Sequence, residues 1–147
     1  MIQGIQHFGI TVSNLDEVLH FFCDILGMEK VLVKEAKGER GEVLMGMPGI
    51  SLRITVLRAK DQKDLEFIEY LSPKGEKLDL RTCNVGVPHL AFVVDDINRT
   101  YRELSALGYE FNSPPYWEGA SVAGQEWGVC FVKGPDNIPI ELMQPPK

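Results

Sequence analysis

Two stretches, IQHFGITV at residues 5–12 and VPHLAFVV at residues 87–94, decide the fold: each sets one histidine near the start of a β-rich run, and each introduces the same succession of elements. Behind the first come LDEVLHFFCDILG (15–27), MEKVLV (28–33) and DLEFIEYLSP (64–73). Behind the second come DDINRTYRELSALG (95–108), YEF (109–111) and PIELMQP (139–145). The histidines His7 and His89 lie 82 positions apart (89 less 7) and the glutamates Glu66 and Glu141 lie 75 apart (141 less 66), so the copies differ mainly by short length changes. Two copies of one unit are expected. Duplication puts equivalent residues at equivalent places, so two imidazoles and two carboxylates are expected to converge on one metal ion.

Local signals give the unit its order. Residues 5–12 are β-branched and aromatic and stop at Ser13 and Asn14, which predicts a strand followed by a helix cap. Leu15, Val18, Leu19, Phe22 and Leu26 recur at helical spacing before Gly27. A strand is expected at 28–35, a Gly- and charge-rich turn at 37–42, and a strand through ISLRITVLRA (50–59) with Ile50, Leu52, Ile54 and Val56 on a buried face. The strand LEFIEYL (65–71) completes a β-α-β-β-β unit. In the second copy Asp95 and Asp96 cap a helix on which Ile97, Tyr101, Leu104 and Leu107 share a face, and strands follow at YEF, GVCFV (128–132) and IPIELMQ (138–144). The turn-rich stretch 73–86 reads as a linker, giving a single domain of module one (about 1–72) and module two (about 87–147). The long segment 112–128 holds Trp117 and Trp127 and breaks the repeat; a loop of that kind often covers a pocket.

Composition narrows the class of function. The chain has 147 residues, 44% hydrophobic and 24% charged, enough for one packed domain. A formal charge of −6 without a basic run argues against a nucleic-acid partner. The opening MIQGIQHFGITV carries neither a basic leader nor an apolar span, so a cytoplasmic protein without membrane attachment is expected. Cys23, Cys83 and Cys130 are odd in number and far apart, and are read as reduced thiols.

The openings HFGITVSNLD (7–16) and PHLAFVVDDI (88–97), the helix end FFCDILGM (21–28) and the closing GPDNIPIELMQP (134–145) resemble the vicinal oxygen chelate superfamily, the glyoxalase, bleomycin resistance and dioxygenase group, in the style of glyoxalase I and methylmalonyl coenzyme A epimerase. The resemblance covers essentially the whole chain. It implies an α+β fold of two βαβββ modules whose curved mixed sheets lie side by side around a central cleft. It also implies metal ligands at His7, Glu66, His89 and Glu141, all four of them residue types that bind metal. Glu69 competes with Glu66, because a one-residue slip in a strand exchanges its faces.

Two imidazoles and two carboxylates without thiolate suit one divalent ion, Zn, Ni, Co, Mn or Fe. The expected chemistry is isomerisation or lysis at a carbon next to a carbonyl through a metal-stabilised enediolate or enolate, with a small-molecule substrate. Relatives imply Glu141 as the base and a homodimer as the assembly. One alternative is an extradiol-type iron dioxygenase using His7, His89 and Glu141, which commonly needs a further histidine where only His20 remains. The other is a non-catalytic small-molecule binder of the antibiotic-resistance type, walled by Tyr116, Trp117, Trp127, Met45 and Met47.

Overall fold

The computed structural model describes residues 1–117, 121–122 and 125–146. They form two compact units, Met1–Lys77 and Leu78–Lys147.

In the first unit β1 (Phe8–Val12) leads to α1 (Leu15–Leu19), which continues as a π-helical turn over His20–Ile25. Asn14 caps α1, its side chain accepting from the Asp16 and Glu17 amides. The wider π turn changes the helix phase, so the adjacent Phe21 and Phe22 are both fully buried while Leu19 and Leu26 are only half-buried. Strands β2 (Glu29–Lys37), β3 (Ser51–Arg58) and β4 (Asp64–Ser72) complete a sheet of order β1-β4-β3-β2, with β1 parallel to β4. The expected turn at 37–42 is instead largely helix α2 (Glu39–Met45). Its charged sequence hides the helix, and Gly41 permits it to sit against the sheet: a Cβ there would stand 3.0 Å from Ile50 Cγ2.

The two faces of this sheet have different cover. Phe22 meets Phe67 at 4.8 Å between ring centroids, so α1 covers the face that carries Leu57, Leu65 and Phe67. Arg53 lies on that side too, donating to Asp16 of α1 at 2.7 Å and to Glu69 at 3.0 Å. The opposite face carries Leu52, Ile54, Glu66, Ile68 and Tyr70; Ile50, Leu52 and Ile54 pack there with Ala36, Met47, Ile68 and Tyr70. Burial along β3 is therefore two-sided, with Thr55 and Leu57 as inaccessible as Leu52. Thr55 spends its hydroxyl on the Leu32 carbonyl at 2.8 Å, beside the bulge that leaves Val31 unpaired between Lys30 and Leu32.

The second unit repeats the plan with a shorter sheet. Strands β5 (Leu90–Val93), β8 (Gly128–Lys133) and β9 (Pro139–Gln144) form the order β5-β9-β8, again with the opening strand parallel to the closing one. Helix α3 (Ile97–Ala106) starts at Asp96, whose carboxylate accepts from the Arg99 amide, and buries Ile97 and Leu104. Leu107, expected on the buried face, is 61% exposed because the helix has ended there. The strand expected at YEF is reduced to one bridge, Phe111 with Val132. Pro114 and Pro115 cannot donate to a ladder, and pairing resumes only between Tyr116 and Val129. Of the long segment 112–128, β6 (Ser121–Val122) and β7 (Gln125–Glu126) form a two-stranded ribbon; residues 118–120 and 123–124 lie outside the described ones. Trp117 packs where a side chain on Gly128 would stand, 2.8 Å from a Cβ built there. Among the described residues no helix is long and apolar enough to cross a membrane.

Two outcomes test this arrangement. Arg53 bonds to Asp16 and holds its carboxyl below the ordinary carboxylate range. A group lowered on folding stabilises at pH above its unfolded value and loses that contribution as pH falls through the folded one. Arg53→Met should therefore lower Tm by a few degrees at neutral pH, and the gap to the parent should narrow once pH drops below about 4. Burial pushes the Cys130 thiol up to about 11, whereas Cys83 is exposed. Thiol labelling of the folded protein at about pH 8 should modify Cys83 and spare Cys130 until denaturant is added.

Candidate metal centre

The ends of the parallel strand pairs build the site. His7 stands one residue ahead of β1 and His89 one residue ahead of β5. Across the ladder Gly9 is opposite Glu66, and Ala91 is opposite Glu141. Each histidine thus lies two residues before a small residue whose ladder partner is the glutamate. The consequence is the same contact twice, His7 Nε2 to Glu66 Oε2 at 3.3 Å and His89 Nε2 to Glu141 Oε2 at 3.1 Å. Both carboxylates are sheltered, at 21% and 16% side-chain exposure, and both imidazoles are more open, at 38% and 49%.

Small residues matter here for space. A Cβ at Gly9 would stand 3.6 Å from Glu66 Oε2 and 4.0 Å from the His7 ring, so any larger branch would enter the gap between them. Glu69, the competitor of Glu66, is on the other face: it is opposite Arg53 in the ladder, binds the Arg53 guanidinium, and accepts from the Leu15 amide at 3.3 Å. Glu66 is consequently the carboxylate that His7 meets.

Residues that the sequence did not single out support each pair. Gln6 Oε1 bonds His7 Nδ1. With that carbonyl oxygen as acceptor, Nδ1 carries the ring proton and Nε2 presents its lone pair toward Glu66. Asp64, two residues before Glu66 on the same face, is held by Arg58 in a bidentate pair of 2.7 and 2.9 Å. Arg58 keeps the Asp64 carboxyl below the ordinary range. On the second unit the Phe131 ring meets His89 at 5.7 Å in an edge contact, and Phe131 is the ladder partner of Glu141. Adjacency to His7 marks Gln6 in the sequence; nothing there marks Phe131, since its place depends on the register of β8 with β9.

The donor set fits a divalent cation. A lone pair on Nε2 and a carboxylate oxygen facing each other leave an electronegative gap that a positive charge fills. Ligands bound at right angles to one ion at ~2.1 Å stand about 3 Å apart, the spacing that both pairs show. Among the described residues no three His, Cys, Asp or Glu side chains are grouped so that they could hold a metal ion. His20, by contrast, bonds Asp24 at 3.0 Å on the helix that covers the far face of the first sheet. Met47 belongs to the apolar cluster on β3, whereas Met45 and Tyr116 are exposed.

Similarity to known proteins agrees with this architecture. The chain is 27% identical over 148 residues to a 2-epi-5-epi-valiolone epimerase from Actinomyces, a match spanning 97% of this chain and 80% of the relative. It is 30% identical over 143 residues to a probable lactoylglutathione lyase from Synechocystis, spanning 95% and 94%. Among solved structures, a glyoxalase family protein from Bacillus cereus superposes with a TM-score of 0.81 at 21% identity, over 100% of this chain and 97% of that one. A fosfomycin resistance protein from Listeria monocytogenes, complexed with Mn(II) and sulfate, superposes with a TM-score of 0.64 at 18% identity, over 99% and 95%. The model of the Glyoxalase/Bleomycin resistance protein/Dioxygenase superfamily matches residues 4–142, and the chain belongs to that family.

Proposed function

We propose that this protein is a divalent-metal-dependent isomerase or lyase that moves a proton at a carbon next to a carbonyl, with His7, Glu66, His89 and Glu141 as ligands and Glu141 as the base. The observation that carries this reading is the facing His–Glu pair, built at the same ladder position in each unit. The names of the two relatives, an epimerase and a lyase, support the reaction class. The Mn(II) complex of the Listeria protein supports a metal in this fold.

When bound, the ion supplies Lewis acidity that stabilises the enediolate or enolate left by proton removal. The remaining work belongs to the chain. Gln6 turns His7 so that Nε2 faces inward. Phe131 and Ala91 flank Glu141 across its two ladders, and its side chain is 16% exposed. Glu141 meets His89 through one oxygen and has a second with which to take and return a proton, the role a general base requires. A small-molecule substrate and a second copy of the chain are the partners proposed. The dioxygenase alternative lacks support from His20, which is committed to Asp24 on the helix side.

Protein purified without chelator should carry near-stoichiometric Zn, Ni, Co, Mn or Fe, and His7→Ala with His89→Ala together should abolish it. Glu141→Gln should retain metal yet slow solvent deuterium incorporation beside the substrate carbonyl by about 10²–10⁴-fold. Gly9→Val should weaken metal binding without unfolding the chain, because its branch enters the His7–Glu66 gap. Metal-free protein, or oxygen uptake with catechols and ferrous iron, would overturn the assignment.

A further inference from the structure

Among the described residues, one buried side-chain nitrogen or oxygen makes no hydrogen bond: Nε1 of Trp127. An indole nitrogen only donates, and a donor sealed from both protein acceptors and water costs stability until something else completes it. Positions in β8 and β9 match positions 75 residues earlier in β3 and β4, rung for rung: Phe131 and Glu141 stand for Val56 and Glu66, Val129 and Met143 for Ile54 and Ile68. The same step (127 less 52) makes Trp127, one residue ahead of β8, the counterpart of Leu52. Leu52 packs on the Glu66 face of its sheet, so Trp127 belongs to the Glu141 face of the second sheet. Alternation agrees. Gly128 shares its side with Val132, which bridges Phe111, and the Phe111 ring meets Tyr101 of α3 at 4.7 Å; that is the helix side, and Trp127 falls on the other. Leucine fills this place in the first unit, so packing alone does not call for an N–H.

From Glu141 to Trp127 the face is apolar. The Glu141 rung holds Ala91 and Phe131, and the next holds Val93, Met143 and Val129, with Tyr116 bridged to Val129. Val93 and Tyr116 are 68% and 60% exposed, so this rung is open to a ligand that approaches the indole. Lys133, the one cation of β5, β8 and β9, lies a rung beyond Glu141 in the opposite direction and donates to Glu110 at 2.6 Å. The indole end therefore suits a neutral acceptor rather than an anion. Four residues of strand separate the two ends, about 13 Å, and ~3 Å for a polar contact at each end leaves roughly 7 Å. One para-substituted benzene ring with a carbonyl at either side has that length.

We infer that Trp127 is a specificity-determining residue: its indole N–H donates to a neutral ketone, ester or amide oxygen on a substrate whose apolar body crosses the Val93–Met143–Val129 rung and whose reacting carbonyl lies at His89 and Glu141. The inference rests on the reading of His89–Glu141 as part of the reacting centre. It selects an apolar carbonyl compound with a single distal acceptor.

The test uses the full-length protein loaded with Zn(II) and two probes, para-acetyl-α-hydroxyacetophenone and its para-isopropenyl analogue, in which a CH₂ replaces the acceptor oxygen without altering the shape. By calorimetry the acetyl compound should bind about tenfold more tightly, and Trp127→Phe, which keeps a ring and removes the N–H, should bring the two together. By heteronuclear NMR the acetyl compound should move the Trp127 indole proton downfield and the isopropenyl one should leave it in place, a response that a merely space-filling tryptophan would not give. Absence of acetyl binding, equal binding of the two probes, or a preference that survives Trp127→Phe would overturn the inference. Should that variant fail to fold, the indole proton of the parent decides: an unmoved signal overturns the inference and a selective shift upholds it. Failure to bind Zn(II) with the acetyl preference intact would overturn the metal-dependent reading alone and uphold the role of Trp127.

Discussion

Parallel pairing of an opening strand with a closing strand governs this molecule. In each unit the ladder sets a glycine or alanine opposite a glutamate, and the histidine two residues upstream swings its ring into the space that the small side chain leaves. A backbone hydrogen-bond pattern thereby fixes a side-chain distance. Because the pattern is made twice, two imidazole–carboxylate contacts agree to within a fraction of an ångström, although the sequences around them share few residues. The sheet's other obligations are arranged around that pairing: in the first unit α1 covers one face, and Glu66 stands on the other.

Keeping the faces distinct takes explicit electrostatics. A strand with glutamates at 66 and 69 presents a carboxylate to each side, and an unpaired carboxylate under a helix would be costly. Arg53 resolves the matter by holding Glu69 and Asp16 together beneath α1. Glu69 also accepts the Leu15 amide, one of the donors that a helix start leaves unpaired. Gln144 plays a comparable part in the second unit, where its buried side-chain oxygen accepts from the Ile97 amide at 2.9 Å. Helices α1 and α3 are thus each stitched to a sheet by a polar side chain near the first turn.

Much of this was legible in the chain itself. Strand, cap and helix of both copies follow from alternation, from Asn14 and Asp96, and from helical spacing. What escaped had local causes. GERGE (38–42) carries no apolar period, so the sequence predicts a turn where α2 forms, and the close approach at Gly41 lets the helix settle. The YEF strand shrank because the prolines that follow deny the ladder its donors. Spacing alone does not choose between Glu66 and Glu69, since the choice depends on Arg53, 16 residues earlier on the neighbouring strand. Gln6 and Phe131 were missed for a related reason: a residue that orients another is recognised by contact, and contact is a property of register.

The bulge at Val31 has an effect beyond its own strand. Strand β2 lies at the border of its sheet and shows Val31, Leu32 and Val33 to solvent, at 40–47% exposure. A smooth, oily border of that kind invites foreign chains to zip onto it and grow into aggregates. The surplus residue throws the rhythm of outward amides and carbonyls out of step, so an incoming strand loses its match partway along. That mismatch works against strand-by-strand growth along a border that carries greasy side chains.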